Sequence, residues 1–313
     1  MPRSRDRPVW PATAGARIAL VADCADWHTR ELTRAFAALG ARAVLVTLPS
    51  CAIETERSSG LMISGFADGL PDAVVVRSMS GGTFEAVTLR LGILHALREL
   101  GVMVWNDART IERCVDKSMT SFLLARAGVP TPATWVTEQH AAAQAIVHRE
   151  LAQGPLVLKP LFGSQGRGLK LIRMAEDLPT AVAGVYYLQR YVAVERDGFR
   201  DFRLLVSQRR VVAAMVRHAA TWITNVKQGG RPVAAVADAE MKALAIRAVA
   251  AVGAEFAGVD MLYGADGCPT VLEVNSMPAW SGLQKVSPVR IASVIAGDVI
   301  AALVDSRRRG AAV

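Results

Sequence analysis

Residues 156–172, LVLKPLFGSQGRGLKLI, set Lys159 near the end of one apolar run and place Gly163, Gly166 and Gly168 before a second. A lysine beside a glycine-rich loop points to phosphate. The ammonium brings charge, and glycines let backbone N–H groups approach the anion closely. Two known loops do not match. The chain has no GxxxxGK[ST] string, and its order here is G-x-x-G-x-G instead of GxGxxG. The following LKLIR reads as a strand, so no helix N-terminus faces the anion. Two readings remain open: a hairpin flap folding over phosphates, as the glycine-rich loop of kinases does, or a plain turn.

A second set lies in VDML and TVLEVNSMP. Glu273 and Asn275 are two apart on one strand and point the same way, with Asp260 facing them across a turn. Two carboxylates and an amide oxygen on one sheet face are hard donors suited to Mg²⁺, with substrate phosphates completing the octahedron. The alternative is a polar solvent face. Glu273 sits inside apolar VLEV, where an unpaired carboxylate is costly, and this favours a site.

These groups need elements to hold them. RIALVAD (17–23) reads as a buried strand, residues 27–40 as a helix ending on Gly40, and ARAVLVTL as a second strand. This β-α-β pattern predicts a parallel sheet with a right-handed crossover. PDAVVVRS (71–78), a helix over 84–101 and VMVWN (102–106) extend it, giving an open α/β domain to about residue 115. A short helix over 117–128 runs into the proline-marked VPTPATWV. Apolar segments at 156–160, 169–173, 186–192, 202–206 and 210–217 then meet through short loops, which predicts antiparallel sheet. A helix near 238–252, a hairpin over 256–274 turning at 265–267, and a helix near 289–305 finish the chain.

Composition narrows the function classes. The 313 residues are 52% apolar and 20% charged, an ordinary globular balance. No apolar run approaches the roughly 18 residues of a membrane span, and the N-terminus lacks a signal-peptide pattern. Cys24, Cys51, Cys114 and Cys268 are scattered without a CxxC pair, as expected of reduced cytoplasmic thiols. The five histidines include no HExxH. The net charge of +8 owes much to the tails (Arg3, Arg5, Arg7; Arg307–Arg309), and the other basic residues lack interleaved aromatics. The excess charge therefore suits anionic small molecules; neither nucleic acid nor membrane is expected as a partner.

Taken together, the motifs resemble the ATP-grasp superfamily and, within it, the RimK-like α-L-glutamate ligases. The matching strings are DKSMTSFLLARAGVPTP (116–132), LVLKPLFGSQGRGLKLI (156–172), LQRYV (188–192), DFRLLV (201–206), AAMVRHA (213–219), TNVKQGG (224–230) and LEVNSMP (272–278), in the family's order. The resemblance implies a Rossmann-like pre-ATP-grasp α/β domain (1–115) followed by an α+β ATP-grasp fold of two subdomains. The first (116–192) carries the flap and the second (193–313) the metal site.

The resemblance also implies roles. Lys117 and Lys159 resemble the lysines on the nucleotide phosphates, and Gly163, Ser164, Gln165, Gly166 and Gly168 resemble the flap. Gln189, Arg190, Tyr191 and Val192 resemble the hinge that holds adenine by backbone hydrogen bonds. Asp201 resembles a ribose contact, and Asn225 joins the nucleotide set. Asp260, Glu273 and Asn275 resemble the ligands of Mg²⁺, with Mn²⁺ as an alternative. Arg203 and Arg217 resemble catalytic arginines around the transferring phosphate, Arg217 also reaching the substrate. Arg77 ends a strand of the first domain, where α/β sheets bind ligands. With Trp222 and Lys227 it is assigned to the substrate. Two departures stand out: Arg190 replaces an acidic hinge residue, and Ile223 replaces an arginine that many glutamate ligases carry.

The implied activity is ATP-dependent carboxylate–amine ligation through an acylphosphate. An amino acid such as glutamate is added to a small molecule or cofactor, with pterin- or furan-type donors expected to suit a pocket walled by Ile223 and Trp222. The alternatives are a ligase acting on a protein C-terminus and a nucleotide-binding regulator without catalysis. A homo-oligomer is compatible with all three.

Overall fold

The computed structural model describes residues 15–163, 165–192, 198–264 and 267–310. Ser164 of the expected flap, and residues 265 and 266 of the expected hairpin turn, lie outside these. The described residues up to Trp105, joined by those from Ala292 onward, form one compact unit, and Asn106–Ile291 form another.

The first unit runs β1 (Arg17–Val21), α1 (Trp27–Ala38), β2 (Arg42–Val46), β3 (Ala52–Ile53), β4 (Leu61–Met62), β5 (Ala73–Val76), α2 (Phe84–Glu99) and β6 (Met103–Trp105). Four strands make a parallel sheet in the order β2-β1-β5-β6. The central strands are the apolar runs IALV and AVVV, buried throughout, as strands covered on both faces must be. α1 starts at Asp26, whose carboxylate accepts from Thr29 N while the Thr29 hydroxyl accepts from Asp26 N. This reciprocal cap satisfies two otherwise orphaned donors. The helix ends at Leu39, and Gly40 follows at φ +75°, the left-handed position that glycine takes without strain.

The second unit opens with α3 (Ala108–Val115) and α4 (Lys117–Arg126). It continues with β7 (Thr134–Thr137), α5 (His140–Glu150), β8 (Leu156–Lys159), β9 (Lys170–Ile172) and β10 (Tyr186–Arg190). Then come β11 (Phe199–Ser207), β12 (Arg210–Ala219), β13 (Arg231–Ala234), α6 (Ala239–Val252), β14 (Phe256–Tyr263), β15 (Pro269–Asn275) and α7 (Ser281–Val286). Two antiparallel sheets result, β7-β10-β8-β9 and β13-β12-β11-β14-β15. Ala143 and Val147 of α5 pack on Leu156, Leu158, Ile172 and Leu188 of the smaller sheet. Met241, Leu244, Ala245 and Ala248 of α6 pack on Leu204, Val259, Met261 and Val271 of the larger one, joined by Leu124 of α4.

The break between units falls at Trp105/Asn106, ten residues before the expected position, for a physical reason. The Asn106 carboxamide is buried and donates to Phe256 O (2.5 Å) and Ser276 O (2.8 Å), while accepting from Glu255 N and Phe256 N. Thr110 and Arg113 of α3 bond Gly253 O and Val252 O. At the other end α8 (Ile291–Gly310) joins the first unit from Ala292 onward, and its Arg307 pairs with Asp72. Sequence order had placed this helix with the metal subdomain. Among the described residues no helix is long and apolar enough to cross a membrane.

Candidate active site

Lys159 ends β8, and the flap leaves from it to β9. Gln165, Gly166 and Gly168 hold φ of +65°, +70° and +72°. A Cβ on Gly168 would come within 2.9 Å of Pro160 Cγ. One on Gly166 would lie 2.5 Å from Asn225 Oδ1 and 2.7 Å from Ile223 Cγ2. Backbone angle therefore favours glycine at both positions, and close packing does too: on Pro160 for Gly168, on Ile223 and Asn225 for Gly166. Lys117, first residue of α4 after the capping Asp116, sends its ammonium to the base of the flap, donating to Gly163 O (2.7 Å) and Leu161 O (3.2 Å).

The flap covers a cleft of about 970 Å³, counting the part open to solvent, which is a size that suits a nucleotide. Its lining brings together Lys117, Lys159, Gly163, Gln165, Gly166, Gln189, Arg190, Tyr191, Val192, Asp201, Arg217, Trp222, Asn225, Asp260 and Glu273 from the expected set. Burial pushes the Lys159 ammonium down to about 8, against the pull of Glu273 and Asp260 and with the push of Lys117. Burial lowers Lys117 as well. Such ammonium groups gain most from an incoming phosphate, because water screens them least.

The floor is a buried charge lattice. Cross-strand pairing sets Asp201 opposite Arg217 and Arg203 opposite Asp260, and Asp260 opposite Glu273. Arg203 grips Asp260 through two bonds, 2.7 and 2.6 Å. Arg217 does the same to Asp201 and also reaches Asp260 at 3.1 Å. Burial raises the Asp260 carboxyl, but the charges and hydrogen bonds of Arg203 and Arg217 outweigh it and hold it far below the usual carboxylate range. Asp260 is thus an anion at any working pH. Glu273 Oε1 accepts from the Asn275 amide NH₂ at 2.9 Å. Among the described residues no cluster of three His, Cys, Asp or Glu side chains forms a self-contained metal site.

Other expected residues fall elsewhere. Arg203, Asn275 and Gly168 stand behind or beside the lining, and Lys227 is exposed on a 3₁₀ turn outside it. Arg77 is buried at the C-terminal end of β5 in the first unit, where burial lowers its guanidinium to about 10. The Arg190 guanidinium is committed to Glu150 (2.6 Å), to the carbonyls of Glu150 and Gly154, and to the Trp135 face. Its N–H bonds Ala133 O, and that of Tyr191 bonds Pro155 O, so among the described hinge residues Val192 N is the donor left for a ligand. Trp222 meets the Tyr191 ring edge-on at 6.0 Å, which places it at the hinge end. Arg167, Leu169, Phe199, Arg200, Leu262 and Leu272 also line the cleft and were not singled out from sequence. Phe199 stands two residues before Asp201 on β11, so strand alternation was the available signal for it; Arg200, one residue before the DFRLLV string, had none.

Two antiparallel sheets enclosing a lysine-bearing cleft under a glycine flap define the ATP-grasp fold. The ATP-grasp ligase PsnB, solved with a phosphomimetic variant of its minimal precursor, Mg and ADP, shares that fold. Its TM-score is 0.72 at 23% identity, over 91% of this chain and 98% of that one. A RimK domain ATP-grasp protein from Sphaerobacter thermophilus matches with TM-score 0.65 and 25% identity, over 91% of this chain and 100% of its own. The family model for the RimK-like ATP-grasp domain covers residues 114–300. The tetrahydromethanopterin:α-L-glutamate ligase of Methanocaldococcus jannaschii is 35% identical over 247 residues, 75% of this chain and 81% of that protein. A probable α-L-glutamate ligase of Sodalis glossinidius is 33% identical over 246 residues, 76% and 80% of the two chains. The chain belongs to the RimK-like ATP-grasp family and is a ligase of that class.

Proposed function

We propose that the chain is an ATP-dependent carboxylate–amine ligase that adds an amino acid, glutamate first among candidates, to a small-molecule or cofactor carboxylate. The observation that carries this reading is the half-buried Lys159 beneath the glycine flap, lining one cleft with Lys117, Glu273 and Asp260. Relatives named for glutamate transfer to tetrahydromethanopterin support the substrate class.

The residues fit Mg²⁺. Glu273 and Asp260 offer hard carboxylate oxygens and Asn275 an amide oxygen, donors of the type that suits a metal completing its shell with phosphate and water. Mn²⁺ is accepted by the same donors. When bound, the metal supplies charge neutralisation on the phosphates.

The chain's own residues do the rest. Lys159 and Lys117 bind phosphate oxygens, Val192 N meets the base edge, and the flap excludes water. The substrate carboxylate oxygen attacks the γ-phosphorus of ATP and ADP leaves. The amine nitrogen then attacks the acyl carbon, and phosphate departs as the amide forms. Positioning and charge neutralisation suffice for phosphoryl transfer, so no histidine base or serine nucleophile is required. Closure of the flap protects the acylphosphate from hydrolysis.

The test is direct. Purified protein with Mg-ATP, glutamate and a panel of aromatic, heterocyclic and aliphatic carboxylates should release ADP and form amide in equal amounts. ADP release without amide on every donor and amine, a C-terminal peptide included, would remove the ligase reading.

A further inference from the structure

Gln189 was assigned above to the strand that meets the nucleotide base. Its side chain is engaged elsewhere. The residue is 1% exposed, and its Oε1 accepts from Lys159 Nζ at 2.5 Å. Its Nε2 donates to the Tyr187 hydroxyl and to Thr134 Oγ1, both at 3.2 Å. The Tyr187 hydroxyl in turn meets Ser121 Oγ on α4 at 2.7 Å. A buried polar chain thus runs from the phosphate-side lysine to the helix that begins with Lys117.

The sheet register makes this arrangement. Lys159 on β8 stands directly opposite Tyr187 on β10, and Gln189 is two residues further along β10, on the same face and diagonal to the lysine. The orientation of the carboxamide follows from chemistry. An ammonium has donors only, so the carboxamide oxygen must face it, and the NH₂ end then needs acceptors, which the two hydroxyls provide. A flipped amide would set donor against donor in a buried site.

Lysine has four rotatable bonds, and a buried ammonium without an acceptor is unfavourable. We propose that Gln189 is a positioning residue for Lys159: its carboxamide, anchored through Tyr187 on Ser121, fixes the ammonium for phosphate and does not read the base. This rests on the ATP reading given above. Preorganising the lysine saves the ordering cost that would otherwise be met when the nucleotide binds.

The experiment compares binding of ATP, ADP and adenosine to the parent protein and to Gln189→Met, Gln189→Glu, Tyr187→Phe, Lys159→Met and the double variant Lys159→Met/Gln189→Met. Methionine keeps the volume and removes the acceptor. Gln189→Met should weaken ATP and ADP about 10- to 100-fold, the range of a lost charge-assisted bond, and leave adenosine within about 2-fold. Gln189→Glu, which retains an acceptor, should recover most of the ATP affinity. In the Lys159→Met background the Gln189→Met change should cost nothing further, because the two act as one unit. Should Gln189→Met not fold, Tyr187→Phe gives the same comparison by removing only the anchoring hydroxyl. Equal loss for adenosine and ATP, or losses that add in the double variant, would overturn the assignment while leaving the ATP reading intact. A parent protein that binds no ATP would overturn both.

Discussion

At the scale of single residues, the charges of the cleft make separable predictions. Lys159→Ala should weaken ATP binding and abolish turnover. Without added metal, ATP affinity of the parent should be level below pH 8 and fall above it. The free-state ammonium sits near 8 because burial lowers it, and phosphate must pull it back up on binding, so a proton is taken up in that window. Loss of affinity below pH 8 instead would assign the titration to another group. Glu273→Gln keeps shape and removes one charge, so thermal unfolding should stay within a few degrees while Mg²⁺-dependent turnover falls, on the order of 10²-fold. Near-parental turnover would move the metal elsewhere. Ile223 offers a contrast. It lines the cleft beside Trp222, and with Asn225 it is also what a Cβ at Gly166 would strike. Ile223→Arg should therefore disturb flap closure and raise ADP release relative to amide, whichever donor is used. A donor-dependent change in kcat/KM would return Ile223 to the substrate.

At the scale of elements, the flap and the hairpin proposed to hold the metal depend on different supports. The flap needs glycine at 166 for angle and for contact, so Gly166→Ala should lower kcat with the fold retained. The hairpin β14–β15 is clamped at its base by Asn106, whose four hydrogen bonds all lie within the second unit. Asn106→Ala leaves several buried backbone groups unpaired at about 1–3 kcal/mol each. A midpoint shift in urea, with m unchanged, measures that loss. Arg217→Met should be harsher, about 3–5 kcal/mol, since it strands the buried Asp201 carboxylate. The elements legible in sequence were those with clear period or punctuation: the IALV and AVVV strands, the helix opened by Asp238, the VLEV strand. α5 was not, because AAAQAI has weak patterning and its start carries no side-chain cap. Asn106 read as the last residue of a strand, since nothing local shows which carbonyls it will meet.

At the scale of the whole molecule, a net charge of +8 and a cleft lined by six cationic against three acidic side chains should draw anionic nucleotide in from a distance. The association rate for ATP should fall as salt rises from 0.05 to 0.5 M (about a Debye length of 14 Å to 4 Å), and stopped-flow mixing reads this out. The family was legible through the resemblance of the motif strings, and the glycine loop and acid–amide hairpin through residue type and spacing, because glycine angles and strand alternation are local properties of the chain. Tertiary structure decided the rest. It committed the Arg190 guanidinium to Glu150, seated Trp222 on Tyr191, assigned α8 to the first unit, and turned Arg203, Arg217, Asp201 and Asp260 into one paired lattice. Each of these depends on which distant side chain lies across a strand or under a helix, and a buried charge or ring takes the partner that folding brings to it.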